Sequence, residues 1–299
     1  MKATLAMRAI APLAETQSGL VTTSQAAGVG VPRLALSRLE ARGDLERVTR
    51  GVYRIPGSDA DALTELRADW LALDPARTAA ERATDLANAV VVSHRSAAAV
   101  HRIGNLYADT HQYTARTRKQ SGREGVSISA RRLADTDITI AEGMLVTTIE
   151  RTIADLALRE ANLGDVADAL ADAYRRHEVH LDALVPMLDA ASARHGTRSG
   201  AELLERMLEY RGLDAASAVR ALIDSPVARE FLAGLTAGQK FSIPAMAQFT
   251  LPASELRGFQ EAVRALTSPM TAAWLNSMPS GGGMQRLAEE ARTVQGRLP

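Results

Sequence analysis

The amino-acid sequence predicts an α+β chain, mainly helical, with a small N-terminal domain of short helices closed by a β-hairpin and a larger mixed α/β body that ends in helices. Three observations carry this expectation. Between residues 19 and 57, cap residues, glycines and apolar positions follow one another in an order that specifies helix, turn, helix and hairpin. Hydrophobic residues make up 46% of the 299 but aromatics only 4%, so the cores must be built from Ala, Leu, Val and Ile, a set that favours helices over sheets. The length exceeds one ordinary domain, and the expected division is 1–57 and 58–299.

Residues 1–19 read as a first helix, because their apolar run is broken by Arg8 and is too short for a secretion signal. Thr22, Thr23 and Ser24 supply N-caps for a short second helix, since a hydroxyl at that position accepts from the unpaired first-turn amides. Gly28-Val29-Gly30 ends it. Pro32 suits the first turn of a third helix, where its missing N–H costs nothing. Ala35, Leu36 and Leu39 recur at helical spacing on the core side of that helix. Opposite them stand Arg33, Leu34, Ser37, Arg38 and Ala41, small and cationic side chains suited to a major groove.

Gly43 closes the third helix. Leu45, Arg47 and Val48 then lead into Thr49-Arg50-Gly51, and Val52-Tyr53-Arg54-Ile55 returns, a hairpin with glycine at the turn. Arg50 stands at the tip with Arg47 and Arg54 beside it, a placement that lets a wing neutralise backbone phosphates. The whole unit reads as a winged helix-turn-helix with the third helix as its recognition helix. The candidate contacts to double-stranded DNA are Thr23, Ser24, Arg33, Ser37, Arg38, Arg47, Arg50 and Arg54.

Composition bounds the rest. The chain has no cysteine, which excludes disulfides and thiolate metal sites and fits a cytoplasmic protein. No apolar stretch is long enough to cross a bilayer, so no membrane partner is expected. The net charge of zero hides an asymmetry: residues 1–57 hold eight Lys and Arg against four Asp and Glu, leaving +4 there and −4 in the remainder. A basic module joined to a mildly acidic one fits a DNA-binding head on a partner-binding or sensing body.

In the body, residues 58–88 read as two helices broken at Asp74-Pro75. Ala89 to Val92 is a short buried strand or the start of a helix, and Ser93 to His101 a helix of small residues capped by Ser93. From His111 to Arg132 the hydroxyl-rich alternation predicts strands with a flexible connection. Six cations stand there against the single acid Glu124: Arg116, Arg118, Lys119, Arg123, Arg131 and Arg132. The first four form a possible second nucleic-acid patch; the alternative is a solvated loop. Ile138–Ile140 and Met144–Val146 read as two strands joined by Ala141-Glu142-Gly143. A helix follows with Thr147 and Glu150 at capping-box spacing. Arg151 and Asp155, one turn apart, are expected to pair across solvent, a contact worth a few tenths of a kcal/mol. Helices are then expected at 165–176, 182–191, 200–210, 216–223 and 254–266, with Ser280 to Gly283 a break before a last one.

The head, the segment Ser93–His101 (SHRSAAAVH) and the segment Gly143–Leu158 (GMLVTTIERTIADLAL) resemble, in that order, the AbiEi antitoxins of type IV toxin-antitoxin systems. The residues that carry the resemblance are Ser93, His94, Ser96 and Ala97 in one motif, and Arg151, Thr152 and Asp155 in the other. It covers residues 15 to about 175 and stops before Gly200. It implies a DNA-binding autorepressor that counteracts a nucleotidyltransferase-type toxin encoded beside it.

Enzymatic alternatives find little purchase in the residues. Of six histidines, His177 and His180 are the nearest pair, but a helical zinc site wants i and i+4 spacing and a third ligand. Ser93 and His94 are neighbours with no accompanying oxyanion-hole glycines, which points to capping and packing rather than to nucleophile and base. Gly281 to Gly283 lacks the Lys-Ser/Thr of a phosphate loop. The expectation is no catalytic residue, no metal and no cofactor. Two other classes stay open, a regulator whose body senses a small molecule or only dimerises, and an enzyme with a DNA-targeting head. A single small head neutralises few phosphates, so self-association or cooperative binding on DNA is expected.

Overall fold

The computed structural model describes residues 2–213 apart from 59 and 120. The helices expected at 216–223 and 254–266 and the glycine break at Ser280 to Gly283 lie outside the described residues. Met1–Leu204 form one compact unit.

The chain begins with α1 (Ala3–Glu15), β1 (Leu20–Thr22), α2 (Thr23–Gly28), α3 (Arg33–Ala41), β2 (Glu46–Thr49) and β3 (Val52–Arg54). Thr22 is the cap of α2: its Oγ1 accepts from the Gln25 amide at 3.0 Å while Gln25 Oε1 accepts from the Thr22 amide at 3.0 Å. This reciprocal box satisfies two first-turn donors at once. Gly30 and Gly43 have φ of +79° and +77°, left-handed conformations that end α2 and α3 without side-chain strain. Past α3, Gly43 donates to the Glu40 carbonyl and Asp44 to that of Leu39, which occupies carbonyls the helix leaves open. Ala6, Ile10 and Ala14 of α1 bury against Ala26, Val31, Ala35, Leu36 and Leu39.

The three strands form an antiparallel sheet in the order β1-β3-β2. Thr49 pairs with Val52, so Arg50 and Gly51 alone make the turn, and the register shifts between Arg47 and Thr49. The strand β1, absent from the sequence expectation, pairs Leu20 with Arg54 and Thr22 with Val52.

The body continues with α4 (Thr64–Ala72), α5 (Ala79–Ala83), β4 (Val90–Val92), α6 (His94–His101), β5 (His111–Ala115), β6 (Val126–Ala130), β7 (Ile138–Ala141), β8 (Met144–Thr147), α7 (Ile149–Arg159), α8 (Leu163–Arg175), α9 (Leu181–Ser192) and α10 (Gly200–Tyr210). The break expected at Asp74-Pro75 separates α4 from α5. Buried Arg82 spans it, donating to the carbonyls of Trp70, Leu71 and Asp74 at 2.6–2.7 Å and lying 4.4 Å over the Trp70 ring. These carbonyls lie at and just beyond the last turn of α4, where the backbone amides that reach them stand 3.3–3.4 Å away, and the guanidinium supplements those long bonds.

The second sheet has the order β6-β5-β4-β8-β7 and is mixed, with β4–β8 and β5–β6 parallel and the other pairs antiparallel. Its central strand is the Val90-Val91-Val92 run, buried throughout, as a strand covered on both faces requires. Trp70 Nε1 donates to the Val90 carbonyl at 2.7 Å and Tyr113 Oη to the Leu66 carbonyl at 3.0 Å, so α4 is bonded to the sheet as well as packed on it. Leu20 and Val52 of the small sheet belong to the same buried cluster as Leu66, Trp70 and Val91. The boundary expected at residue 57 therefore runs through a shared core.

Three local expectations are corrected. Ser93 stands at the N-cap of α6, but its hydroxyl makes no cap bond; it accepts from Thr114 Oγ1 at 2.9 Å and lies 2.9 Å from His94 Nδ1. The cap of α7 is Thr148, whose Oγ1 accepts from the Arg151 amide at 3.2 Å, while Thr147 bonds the Thr152 hydroxyl at 2.7 Å. Arg151 and Asp155 do pair, but the Asp155 side chain is wholly buried rather than solvated.

Candidate nucleic-acid interface

The face of α3 turned from the core carries Arg33, Leu34, Ser37 and Arg38, all exposed. Packing of Ala35, Leu36 and Leu39 inward sets that orientation. Arg33, Ser37 and Arg38 make no side-chain bond to any described residue, so their donors are open to a ligand. Leu34 is 62% exposed between them, an apolar group of the kind that meets a thymine methyl. It lies on the expected arc but outside the expected set of DNA contacts.

The other expected contacts divide. Arg47 and Arg50 are exposed on the hairpin. Arg54 is half-buried and engaged by Glu46, its Nε donating to Glu46 Oε2 at 3.2 Å. That pairing leaves little of its charge for a phosphate. Thr23 is half-buried, and both its amide, at 2.9 Å, and its hydroxyl, at 3.3 Å, donate to the Gly51 carbonyl. It fastens the start of α2 to the hairpin turn. Ser24, next along, is exposed.

The basic stretch in the body is mostly committed within the protein. Arg116 pairs with Asp135, Lys119 Nζ donates to the Asn88 carbonyl at 3.0 Å, and Arg123 reaches the hairpin, with Nη2 2.8 Å from the Arg50 carbonyl and Nη1 3.4 Å from Thr49 Oγ1. Arg118 is exposed and bonds no described residue. Nothing in the sequence marked Arg123 as the member that meets the head, because its partner is a backbone carbonyl more than seventy residues away.

The helices that carry the two motifs of the body, α6 and α7, pack on each other, and each brings buried polar groups. Asp155 Oδ1 accepts from Arg131 Nη1 at 2.7 Å and from Arg151 Nη2. Asp155 Oδ2 and Arg151 Nε are buried without a hydrogen-bond partner among the described residues. His94 is buried and left-handed at φ 55°; burial lowers its pKa to about 4, with Arg159, Arg131 and Arg151 acting the same way and Asp155 opposing. The Ser93 hydroxyl is fully buried beneath it. His180, of the pair weighed for a metal, bonds Glu150 Oε1 through Nδ1 at 3.1 Å. Among the described residues no group of three His, Asp or Glu side chains is placed to hold a metal, and no helix is long and apolar enough to cross a membrane.

The helices, the hairpin and the bare cationic arc define a small module of the kind found in transcriptional regulators. Residues 8–56 match the family model described as "Transcriptional regulator, AbiEi antitoxin", so the resemblance read from the sequence is shown for the head. No curated protein matches the chain. Among solved structures, one that is similar is the crystal structure of the RV2827C protein from Mycobacterium tuberculosis, with 19% identity and a TM-score of 0.43 over 72% of this chain and 80% of that one.

Proposed function

We propose that this chain is a DNA-binding transcriptional repressor whose head is a winged helix-turn-helix, with α3 in the major groove and the β2–β3 hairpin as the wing, and that it acts as the antitoxin of a type IV pair. The observation that carries the reading is the coincidence of two things in one stretch. Residues 8–56 match the antitoxin-regulator family model, and the same stretch turns Arg33, Ser37 and Arg38 outward on one helix with no partner among the described residues. In that placement the arginines reach base edges and Arg47 and Arg50 reach phosphates.

The body is read as the part that counteracts a co-encoded nucleotidyltransferase-type toxin and not as an enzyme. The Ser93 hydroxyl, held by Thr114 and His94, supports the second half of that reading, since the residue is closed off from solvent.

The test is a gel shift of the full chain on its own promoter. Arg33→Ala with Arg38→Ala should lose about 1–3 kcal/mol of binding per base contact while circular dichroism stays unchanged. Arg50→Ala should weaken all sequences alike. A double variant that binds the promoter as well as the parent chain would exclude α3 as the reading helix. Co-expression with the neighbouring toxin gene checks the second activity, and failure to restore growth would remove the antitoxin assignment.

A further inference from the structure

The strands β5 and β6 are parallel and adjacent, with His111 paired to Val126 and Ala115 to Ala130. A parallel pair cannot be joined by a tight turn, so the chain leaving Ala115 must travel back along the strand, about 16 Å at roughly 3.3 Å per residue, before β6 begins. The connection that does this is the basic stretch 116–125. It contains no helix among its described residues. It is pinned at Arg116 by Asp135, at Lys119 by the Asn88 carbonyl, and at Arg123 by Thr49 and the Arg50 carbonyl. Arg118 lies between these points, exposed and without a bond to any described residue.

The third pin is on the tip of the hairpin. Arg50 has its carbonyl engaged by a guanidinium from the body while its own side chain is exposed. A charge-assisted bond of this kind holds a two-residue turn more firmly than the strand ladder alone. It also brings the body's crossover alongside the wing.

We propose that the DNA-binding surface continues from the head onto the β5–β6 crossover. Arg118 meets phosphates flanking those met by Arg50, and Arg123 is the positioning residue that fixes the wing tip. The inference rests on the winged-helix reading and deepens it: the partner is the sugar-phosphate backbone of a longer duplex, contacted without regard to sequence.

The experiment uses the full chain, its own promoter and a length-matched random duplex, with affinity measured by fluorescence anisotropy across a salt series. Arg118→Ala should weaken both duplexes equally and reduce the magnitude of the salt slope by about one unit. Arg123→Ala should speed hydrogen exchange at the Gly51 and Val52 amides of the free protein. Combined with Arg50→Ala it should weaken binding little more than Arg50→Ala does alone, since it acts through the wing. Unchanged affinity and slope for Arg118→Ala, or fully additive losses for Arg123→Ala and Arg50→Ala, would overturn the inference. If Arg33→Ala with Arg38→Ala abolishes promoter preference in the same assay, the winged-helix reading stands whatever happens at Arg118. If the parent chain binds neither duplex, both fall.

Discussion

Gln17 and Gln25 exchange hydrogen bonds through their side-chain amides, Nε2 to Oε1 at 3.0 and 3.1 Å. Each is buried and each is also bonded to the body, Gln25 Nε2 donating to the Arg77 carbonyl at 3.0 Å and Gln17 Oε1 accepting from the Ala79 amide at 3.1 Å. Thr22 adds a hydroxyl bond to the Pro75 carbonyl. The start of α2 is thereby fixed to the α4–α5 connection, and the orientation of the head depends on residues beyond 57.

Gln25→Ala should therefore destabilise the full chain by about 1–3 kcal/mol, because it removes the capping-box acceptor of the buried Thr22 amide and takes one bond each from the Gln17 side-chain amide and the Arg77 carbonyl. Urea unfolding measures this. A chain ending at residue 57 uncovers Leu20 and Val52 as well and should show no cooperative thermal transition by circular dichroism. A sharp transition in that fragment would mean the charge split between head and body marks a physical boundary after all.

Asp155 makes a prediction about rank order. Its side chain is wholly buried between Arg151, 11% exposed, and Arg131, 38% exposed. Removing the carboxylate leaves Arg151 buried and unpaired, whereas Arg131 can turn to water; removing Arg131 leaves the Arg151 pair intact. Asp155→Ala should cost about 3 kcal/mol or more, and Arg131→Ala about 1 kcal/mol or less. Equal losses in chemical denaturation would contradict this division of roles.

What could be read in the residues is what local chemistry specifies. The caps and glycines around α2 and α3, the inward Ala35, Leu36 and Leu39, and the Arg50-Gly51 turn all depend on neighbours a few positions away, and all stand where periodicity and cap chemistry put them. What escaped depends on partners distant in sequence. The three residues of β1 carry no alternation and become a strand only because β3 returns beside them. Ser93 has the cap-residue type, yet Thr114 and His94 take its hydroxyl. Arg151 and Asp155 have the spacing of a surface pair, and only the approach of Arg131 and the helices around α7 buries them. Arg54, cationic beside the wing, is quenched by Glu46 across the hairpin, a cross-strand pairing that a net charge does not reveal.

His94 makes stability depend on pH in a definite direction. Burial lowers its pKa to about 4, the cations Arg159, Arg131 and Arg151 also disfavour the imidazolium, and Asp155 alone among these groups favours it. The folded state thus keeps the ring neutral where the unfolded chain, with a pKa near 6.5, has begun to bind a proton. Since the unfolded state holds more protons between about pH 6.5 and 4, stability rises with pH across that window and is lost on acidification, by about 3 kcal/mol in total for a shift of this size. His101 is lowered by burial too and contributes in the same sense, so the effect must be isolated by difference. His94→Asn suits the comparison because Asn tolerates the left-handed φ of 55° and does not titrate. Urea unfolding at several pH values above about 4.5 should give the variant a slope shallower than that of the parent chain by close to one proton, about 1.4 kcal/mol per pH unit at most. Parallel slopes, or a His94 ring that titrates near its ordinary value in the folded protein by NMR, would show that the ring is solvated and that the cluster around Asp155 does not enclose it.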